Sequence, residues 1–331
     1  MVKNGYLYLI KIGTKLISFL PSEFSHFLAL FSLRVLNLLK VNPFSYHEDK
    51  VNLCNIDFKN KVGLGAGLDK NGDYIDSLAM IGFGFLELGT VTPLAQKGNS
   101  KPRLFRIRSD KALVNSMGFN NKGVDHLVSN VLNRKSKIPL GISIGKNLST
   151  PLENAVDDYL ICLEKVYKVA DYIAINISSP NTKGLRSLET KVYFEELITA
   201  LKEKQTSLSH NFKYVPLFLK ISPDISESNL NSLISVVLEK KIDGLICSNT
   251  TTNHKHSSGK GGLSGQPLYQ SSTQQLMKVR ELVGKDFPII ASGGVLDKEG
   301  YLGKLNNGAN LVQVYTGLIY EGPGLVEDLL R

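Results

Sequence analysis

The sequence predicts an α/β protein, a (β/α)8 TIM barrel with an N-terminal helical extension. Eight short apolar runs follow one another after Lys61, and longer amphipathic stretches separate them, a pattern typical of βαβ units in a parallel sheet. The chain has 331 residues, enough for a barrel of roughly 250 residues with an extension, although two average domains would fit the same length. We therefore predict an extension over residues 1–43 and a barrel over 44–331.

The N-terminal extension is predicted to form two short amphipathic helices joined at Pro21-Ser22. Apolar residues dominate the first helix, but Lys11 and Lys15 interrupt them before the roughly 20 residues that a membrane span needs. The second helix carries apolar residues at spacings of three and four, namely Phe24, Phe27, Leu28, Phe31, Val35 and Leu38. Such a pair is typical of a segment that lies on a membrane surface. A plain helical cap over one end of the barrel is the alternative.

The eight barrel strands are predicted from the apolar runs. They span residues 62–65, 83–88, 140–144, 172–177, 217–221, 244–247, 289–291 and 311–314. The stretch 91–138 is too long for an ordinary connection, and we predict that it contains a lid or extra strands. Within it Arg103, Arg106 and Arg108 alternate with apolar residues, as in a solvated edge strand with a basic face.

Polar residues or glycines follow every predicted strand, and in a barrel these ends converge on one mouth, where the active site of this fold lies. The most informative end is 176–182, Asn-Ile-Ser-Ser-Pro-Asn-Thr. Its amides and hydroxyls suit a planar polar ligand and the movement of a proton. The alternative is a turn in which Ser179 caps a helix and Pro180 is its first residue.

The seventh and eighth strand ends predict a phosphate site, because glycines such as Gly293 and Gly294 let backbone N–H groups approach an anion. Lys70 and Lys220 would add positive charge to the mouth. Unpaired buried ammonium groups are costly, so we expect an anionic ligand. The glycines at 63–67 lack the GxGxxG spacing of a dinucleotide-binding loop.

Composition argues against several other classes. The formal net charge is +9, but the lysines are dispersed, so no nucleic-acid partner is expected. Cys54, Cys162 and Cys247 lie far apart, so neither a disulfide framework nor a metal site is predicted. A non-catalytic barrel that binds a phosphorylated ligand is the alternative to an enzyme.

From about Pro21 to the C-terminus, the chain resembles the quinone-dependent (class 2) dihydroorotate dehydrogenases. The matching motifs are residues 66–72, 89–93, 102–106, 115–120 and 176–182. The resemblance implies oxidation of dihydroorotate to orotate in pyrimidine biosynthesis, with hydride transfer to FMN and reoxidation by a membrane quinone. We expect a bacterial protein bound peripherally to the cytoplasmic face of the inner membrane.

The resemblance also implies roles for individual residues. Ser179 is the expected base, with Thr182 or a water as proton relay and Phe119 excluding bulk solvent. The expected substrate contacts are Lys70, Asn115, Ser116, Met117, Gly118, Phe119, Asn176, Asn181, Asn249 and Thr250. The expected FMN contacts are Ala66, Gly67, Leu68, Asp69, Lys70, Thr90, Ser143, Asn176, Lys220, Ser248, Gly265, Gly293, Gly294, Tyr315 and Thr316. The residues expected along the quinone tunnel are His26, Arg106 and Tyr315.

Two positions depart from the family pattern. Ser143 stands where the family usually has an Asn on the flavin, so that contact would be shorter or lost, and Gln266 replaces the Arg that usually follows Gly265. The nearest alternative enzyme is a soluble class 1 relative that reduces fumarate or NAD. Its base resembles a Cys rather than Ser179, and it lacks the apolar N-terminal helices.

Overall fold

The structure is a computed structural model that describes residues 10, 12–14, 16–44, 47–182, 185–189, 191–256 and 261–331. Its strands are β1 Val51–Leu53, β2 Ile56–Phe58, β3 Val62–Leu64, β4 Phe85–Val91, β5 Leu104–Ile107, β6 Ala112–Asn115, β7 Leu140–Ile144, β8 Tyr172–Asn176, β9 Leu217–Ile221, β10 Gly244–Cys247, β11 Gly262–Gly265, β12 Ile289–Ser292 and β13 Leu311–Val314. Its α-helices are Ser22–Leu38, Ile75–Ala79, Val124–Leu132, Ala155–Val166, Lys191–Ser209, Glu227–Glu239, Tyr269–Val283, Lys298–Asn306, Thr316–Glu321 and Leu325–Leu330.

Eight parallel strands close into the predicted barrel, in the order β3, β4, β7, β8, β9, β10, β12 and β13. The last strand pairs back with the first, with Gln313 opposite Gly63. All eight predicted strands are confirmed. The prediction at 83–88 differs most from its strand, because the pairing of β4 with β7 continues through a register shift to Val91.

Aromatic side chains fill the barrel interior near the N-terminal ends of the strands. The rings of Phe85, Tyr172 and Phe218 make successive edge-to-face contacts, with centroids 6.2 and 5.3 Å apart. Glycines in neighbouring strands leave room for these rings: a Cβ on Gly141 would lie 2.0 Å from the Tyr172 ring, and one on Gly244 would lie 2.3 Å from the Phe218 ring. The glycines are therefore required by packing.

A hairpin that the sequence analysis did not predict closes this end of the barrel. β1 and β2 pair antiparallel, and Ile56 and Phe58 are buried against the interior aromatic rings. The Phe58 ring lies 5.3 Å from that of Phe85, edge to face. Each strand has only three residues, too few for alternating hydrophobicity to identify them.

The long insertion contains the predicted extra strands, β5 and β6, which form an antiparallel sheet with β11. β5 is an edge strand, as predicted, but the expected solvated basic face is wrong for Arg103 and Arg106. Arg108 is exposed, as expected, and donates to the Ser18 carbonyl at 2.8 Å. Arg103 is buried and makes two 3.1 Å hydrogen bonds to the Glu23 carboxylate. Arg106 donates to the carbonyls of Ser18 and Leu20, at 2.9 and 3.0 Å. These arginines hold the N-terminal segment against the sheet.

The N-terminal segment is helical at residues 10, 12–14, 16 and 17, and again over Ser22–Leu38. Residues 1–9, Lys11 and Lys15 of the first predicted helix lie outside the described residues. Many apolar side chains of the segment face solvent; Phe19 is 66%, Phe24 53% and Leu38 71% exposed. Of the helices that the structure describes, none combines the length and apolar character needed to cross a bilayer.

Candidate active site

A cavity lies at the C-terminal ends of the barrel strands and gathers most of the predicted site residues. Those that line it are His26, Ala66, Gly67, Lys70, Thr90, Asn115, Met117, Gly118, Phe119, Asn176, Ser179, Asn181, Lys220, Ser248, Asn249, Thr250, Gly265, Gly293, Gly294, Tyr315 and Thr316. The barrel closure brings these residues together from loops far apart in sequence, as expected for this fold.

The predicted residues that do not line this cavity are Leu68, Asp69, Arg106, Ser116, Ser143 and Thr182. Asp69 shapes the first loop instead, since its carboxylate accepts N–H groups of Asn71, Asp73 and Tyr74 at 2.7 to 3.3 Å. Burial raises the pKa of Asp69 to about 6, against the opposing effect of these hydrogen bonds. The backbone N–H of Ser116 donates to the carbonyl of Arg103.

A buried hydrogen-bond network orients the amide of Asn176. Its Nδ2 donates to Thr90 Oγ1 at 2.8 Å, and the Thr90 hydroxyl is hydrogen-bonded to the Ser143 hydroxyl at 2.8 Å. Its Oδ1 accepts from Asn249 Nδ2 at 3.3 Å, and Asn249 also donates to Ser178 Oγ at 3.0 Å. Ser143 is therefore connected to Asn176 through Thr90. Although Ser143 is shorter than the Asn of the family pattern, its hydroxyl has a hydrogen-bond partner.

Ser179 lies in the cavity wall beside a second pair of amides. The backbone N–H of Asn181 donates to Ser179 Oγ at 3.3 Å, and Asn181 Nδ2 donates to Asn115 Oδ1 at 2.9 Å. Thr182 Oγ1 is buried and has no hydrogen-bond partner among the described residues, an arrangement that suits a bridging water. Phe119 has a φ of 52°, a costly backbone conformation for a bulky residue, and its ring contributes to the cavity wall.

Lys70 supplies a half-buried cation to the cavity. Its ammonium donates to the carbonyl of Gly67 at 2.6 Å. Burial, with the charge of Arg103 as a second cause, lowers the pKa of Lys70 to about 8, although Glu23 opposes the shift. A carboxylate ligand in the cavity would offset the cost of desolvating this charge.

Lys220 differs from the expectation of an unpaired lysine, because its Nζ lies 3.3 Å from the carboxylate of Glu87, which is buried. Tyr172 and Gln313 also donate to Glu87, at 3.0 and 2.6 Å. The sequence analysis missed Glu87. Its signal was a single acid within an otherwise apolar strand, since a buried carboxylate needs a cationic or hydrogen-bonding partner.

The predicted phosphate loop packs tightly on a neighbouring helix. Gly293 and Gly294 have φ values of 112° and 80°, and a Cβ on Gly294 would lie 2.4 Å from Tyr269 Cα. Ser272 donates to the Gly293 carbonyl at 3.0 Å. These two glycines are thus needed both for their left-handed backbone and for the close approach of the helix.

A second, mostly apolar cavity lies between the N-terminal segment and the barrel. Leu68 and Arg106 line it, whereas His26 and Tyr315 line both cavities, so the two cavities adjoin at these side chains. Burial, and to a lesser extent the charge of Lys70, lowers the pKa of His26 to about 4. Burial raises the pKa of Tyr315 to about 12. Both side chains are therefore neutral near pH 7.

The site can bind a planar ligand through amides, neutralise an anionic group with Lys70 and move a proton at Ser179. Across the ranges that the structure describes, no cluster of three or more His, Cys, Asp or Glu side chains could hold a metal ion.

The sequence profile of the family "Dihydroorotate dehydrogenase" matches residues 49–331. The chain belongs to the dihydroorotate dehydrogenase family.

Relatives and solved structures agree with this assignment. The "Dihydroorotate dehydrogenase (quinone)" of Vibrio parahaemolyticus is 48% identical over 94% of this chain and 96% of its own length. The protein of the same name from Buchnera aphidicola is 45% identical over 98% of this chain and 99% of its own. A crystal structure of the Eimeria tenella DHODH in complex with ferulenol superposes with a TM-score of 0.85, at 34% identity, covering 93% of this chain and 89% of that one.

Proposed function

We propose that this protein oxidises dihydroorotate to orotate in pyrimidine biosynthesis and passes the electrons to a quinone. The observation that carries the proposal is the pair of adjoining cavities. One is lined by Ser179 and several amides, the other is mostly apolar, and His26 and Tyr315 line both. Such an arrangement suits two half-reactions with a polar and an apolar reactant. The similarity to proteins named for this activity supports it.

The dihydroorotate dehydrogenase family is flavin-dependent in general, and we propose that this chain uses FMN, which would accept the substrate hydride. The residues fit such a group. Lys220, Ser248 and Thr316 line the cavity together with the glycines of the phosphate loop. Gln313 also lines it, and its buried Oε1 has no partner among the described residues, so it is available to a donor on a ligand.

In this proposal the chain's own residues bind the substrate and remove its proton. Asn115, Asn176, Asn181 and Asn249 pair with the alternating N–H and C=O edges of the pyrimidine, and Lys70 binds its carboxylate. Ser179 takes the proton from C5 and releases it through a water next to Thr182. Lys220 would stabilise the negative charge that a bound flavin gains when it accepts the hydride.

The N-terminal segment, residues 1–43, is proposed to be the quinone entrance and membrane contact, and residues 44–331 the catalytic barrel. Exposed Phe19, Phe24 and Leu38 supply the apolar area of a membrane-bound amphipathic segment. We propose peripheral attachment to the cytoplasmic face of a bacterial inner membrane.

The direct test of the proposed function is the anaerobic visible absorbance spectrum of the purified protein before and after adding dihydroorotate. We expect a flavin band that bleaches with dihydroorotate and returns with a quinone, and acid-released FMN identified by mass. A colourless protein would favour the non-catalytic phosphoryl-ligand barrel. Return of the band with fumarate or NAD, but not with quinone, would favour the class 1 alternative.

Membrane attachment is tested by flotation with anionic vesicles. We expect the protein to float, and Phe24→Asp to reduce flotation because a charge replaces apolar contact with the lipid. Leu132→Asp is the control, since Leu132 is also exposed, at 69% against 53% for Phe24, and lies on a barrel helix. Equal loss for both variants would contradict a contact specific to the N-terminal segment.

A further inference from the structure

Arg186 lies behind the loop that carries Ser179 and joins two loops of the barrel mouth. It belongs to the 3-10 turn Leu185–Glu189. Its guanidinium donates to the carbonyls of Ser178 and Thr250, each at 3.1 Å. Ser178 directly precedes the proposed base, so a single planar and permanently charged group links the loops after β8 and β10.

Asp224, in the loop after β9, completes this arrangement. Its carboxylate accepts from Arg186 at 2.9 Å, from the Thr252 N–H at 2.7 Å and from the Thr251 and Thr252 hydroxyls. Burial opposes ionisation of Asp224, but hydrogen bonds from Thr251, Thr252 and Arg186 outweigh it and lower its pKa. The carboxylate is therefore charged at neutral pH, and loops after three consecutive strands meet at one ion pair.

Further contacts connect these loops to one another around the barrel mouth. Thr251 forms an antiparallel bridge with Leu263 of β11. β11 pairs with β6, where Gly262 faces Asn115. The side chain of Asn115 accepts from Asn181, in the loop that holds Ser179. A shift of any one loop would thus move the others.

Neither member of the ion pair is among the residues that line the cavity. The side chains of Arg186 and Asp224 are only 25% and 19% exposed, and the guanidinium hydrogen bonds fix their geometry. A misplacement of about 1 Å at a reacting group can cost about 100-fold in rate. The pair is therefore placed to affect chemistry without contacting the ligand.

We propose that Arg186 and Asp224 are positioning residues that hold Ser179, Asn249 and Thr250 in register for proton removal from the substrate. The inference rests on the proposed function and adds the ion pair that fixes the position of the substrate-binding loops. It predicts an effect on the substrate half-reaction alone, because the second cavity is bounded by the N-terminal segment and Tyr315.

The test compares Arg186→Gln, Arg186→Lys and Asp224→Asn in the flavin-loaded, full-length protein by anaerobic stopped flow. We expect Arg186→Gln to slow flavin reduction by dihydroorotate about 10- to 100-fold, with Arg186→Lys intermediate because it keeps the charge but cannot span both carbonyls. Reoxidation by quinone should stay near the wild-type rate. The Arg186→Gln/Asp224→Asn double variant should be little worse than the single variants, because both remove the same interaction.

Arg280→Gln is the matched control. Arg280 donates to the carbonyls of Gly284, Phe287 and Gly308, so it clamps loops before β12 and β13, at the opposite end of the barrel. Its loss should lower stability without a selective effect on flavin reduction. The positioning role would be wrong if the flavin of Arg186→Gln were reduced at the wild-type rate. It would also be wrong if Arg186→Gln and Arg280→Gln slowed both half-reactions to the same extent.

Amide hydrogen exchange of the flavin-loaded, full-length protein without substrate gives a readout independent of turnover. Peptides covering 176–182 and 249–256 should exchange faster in Arg186→Gln and Asp224→Asn than in wild type or Arg280→Gln. Unchanged exchange rates would overturn the proposed connection of the loops by Arg186 and Asp224, whatever the flavin reduction rates. If dihydroorotate did not reduce the wild-type flavin, but exchange in the Arg186 and Asp224 variants rose as expected, the proposed function would be wrong. The connection of the loops by Arg186 and Asp224 would then still hold.

Discussion

Ser179 is the residue on which the proposed proton transfer depends most directly. Its hydroxyl is a poor base alone. Nearby Thr182 has a hydroxyl without a hydrogen-bond partner in the part of the chain that the structure describes, which suits a water that carries the proton away. Ser179→Ala should lower the rate of flavin reduction by dihydroorotate about 10²- to 10⁴-fold, the usual contribution of a positioned general base. Anaerobic stopped flow measures this rate, and a variant that kept most of it would contradict the assignment.

A serine base also predicts the behaviour of a cysteine at the same position. Ser179→Cys should recover part of the rate at high pH, because a free thiol ionises near pH ~8.5. FMN content and orotate affinity should stay close to wild type in both variants, since the substituted hydroxyl is not needed to hold either ligand. Loss of FMN from Ser179→Ala would point to a structural role instead.

Lys70 predicts the pH dependence of anion binding. Its pKa, lowered to about 8 by burial and by Arg103, means that the ammonium loses its proton as the pH rises through 8. Affinity for the orotate carboxylate should therefore be full below this pH and fall above it, by up to about tenfold per pH unit. Binding of the anion favours the charged form and moves the midpoint of the complex upward.

The measurement is the orotate dissociation constant, followed through the flavin spectrum between about pH 6 and 10. Lys70→Met should bind orotate weakly and with little pH dependence over this range. Lys111→Met is the control, because Lys111 is exposed and paired with Glu321, and it should retain the wild-type profile. A wild-type affinity that rose above pH 8 would contradict the role of Lys70.

At the scale of elements, the β1–β2 hairpin supports the barrel from the end opposite the site. Phe58 is buried against Phe85, so Phe58→Ala should lower the free energy of unfolding by about 3 to 5 kcal/mol, the usual range for a buried Phe. Flavin reduction in the folded variant should be nearly unchanged. Urea unfolding measures the loss, with half-exposed Phe212→Ala as control; equal losses would show that the hairpin does not close the core.

At the scale of the whole molecule, the N-terminal segment and the barrel should carry separate halves of the reaction. Deletion of residues 1–40 should leave flavin reduction by dihydroorotate in place, because Ser179 and its amide partners all lie in the barrel. Reoxidation by a long-chain quinone and binding to anionic vesicles should both fall steeply, since the apolar surface is removed. The deletion removes Glu23, the partner of Arg103, but it also exposes Arg103 to solvent. Arg103 is therefore not left as a buried unpaired charge.

Separate rates for the two half-reactions decide this prediction. Arg106→Gln in the full-length chain is a milder companion, since Arg106 lines the second cavity and donates to Ser18 and Leu20. It should slow reoxidation more than reduction. Unchanged quinone turnover and vesicle binding in the truncated protein would reduce the segment to a structural cap and reopen the soluble class 1 alternative.

The sequence by itself determined the eight barrel strands and the residues at their ends. Strands such as β7 and β9 are local apolar runs between helices, and both keep their predicted bounds. Local signals do not identify β11, because its sequence Gly-Leu-Ser-Gly has little β-propensity and forms a strand only by pairing with β6, far away in the chain.

Only the tertiary structure decided which charges meet. Glu87 and Lys220 lie 133 residues apart, and Arg103 reaches Glu23 across the two predicted segments. The arginines predicted to face solvent instead bind the N-terminal segment. Local hydrophobic period and turn residues specify elements, whereas the partner of a buried charge depends on which side chains the closed barrel brings within hydrogen-bond distance.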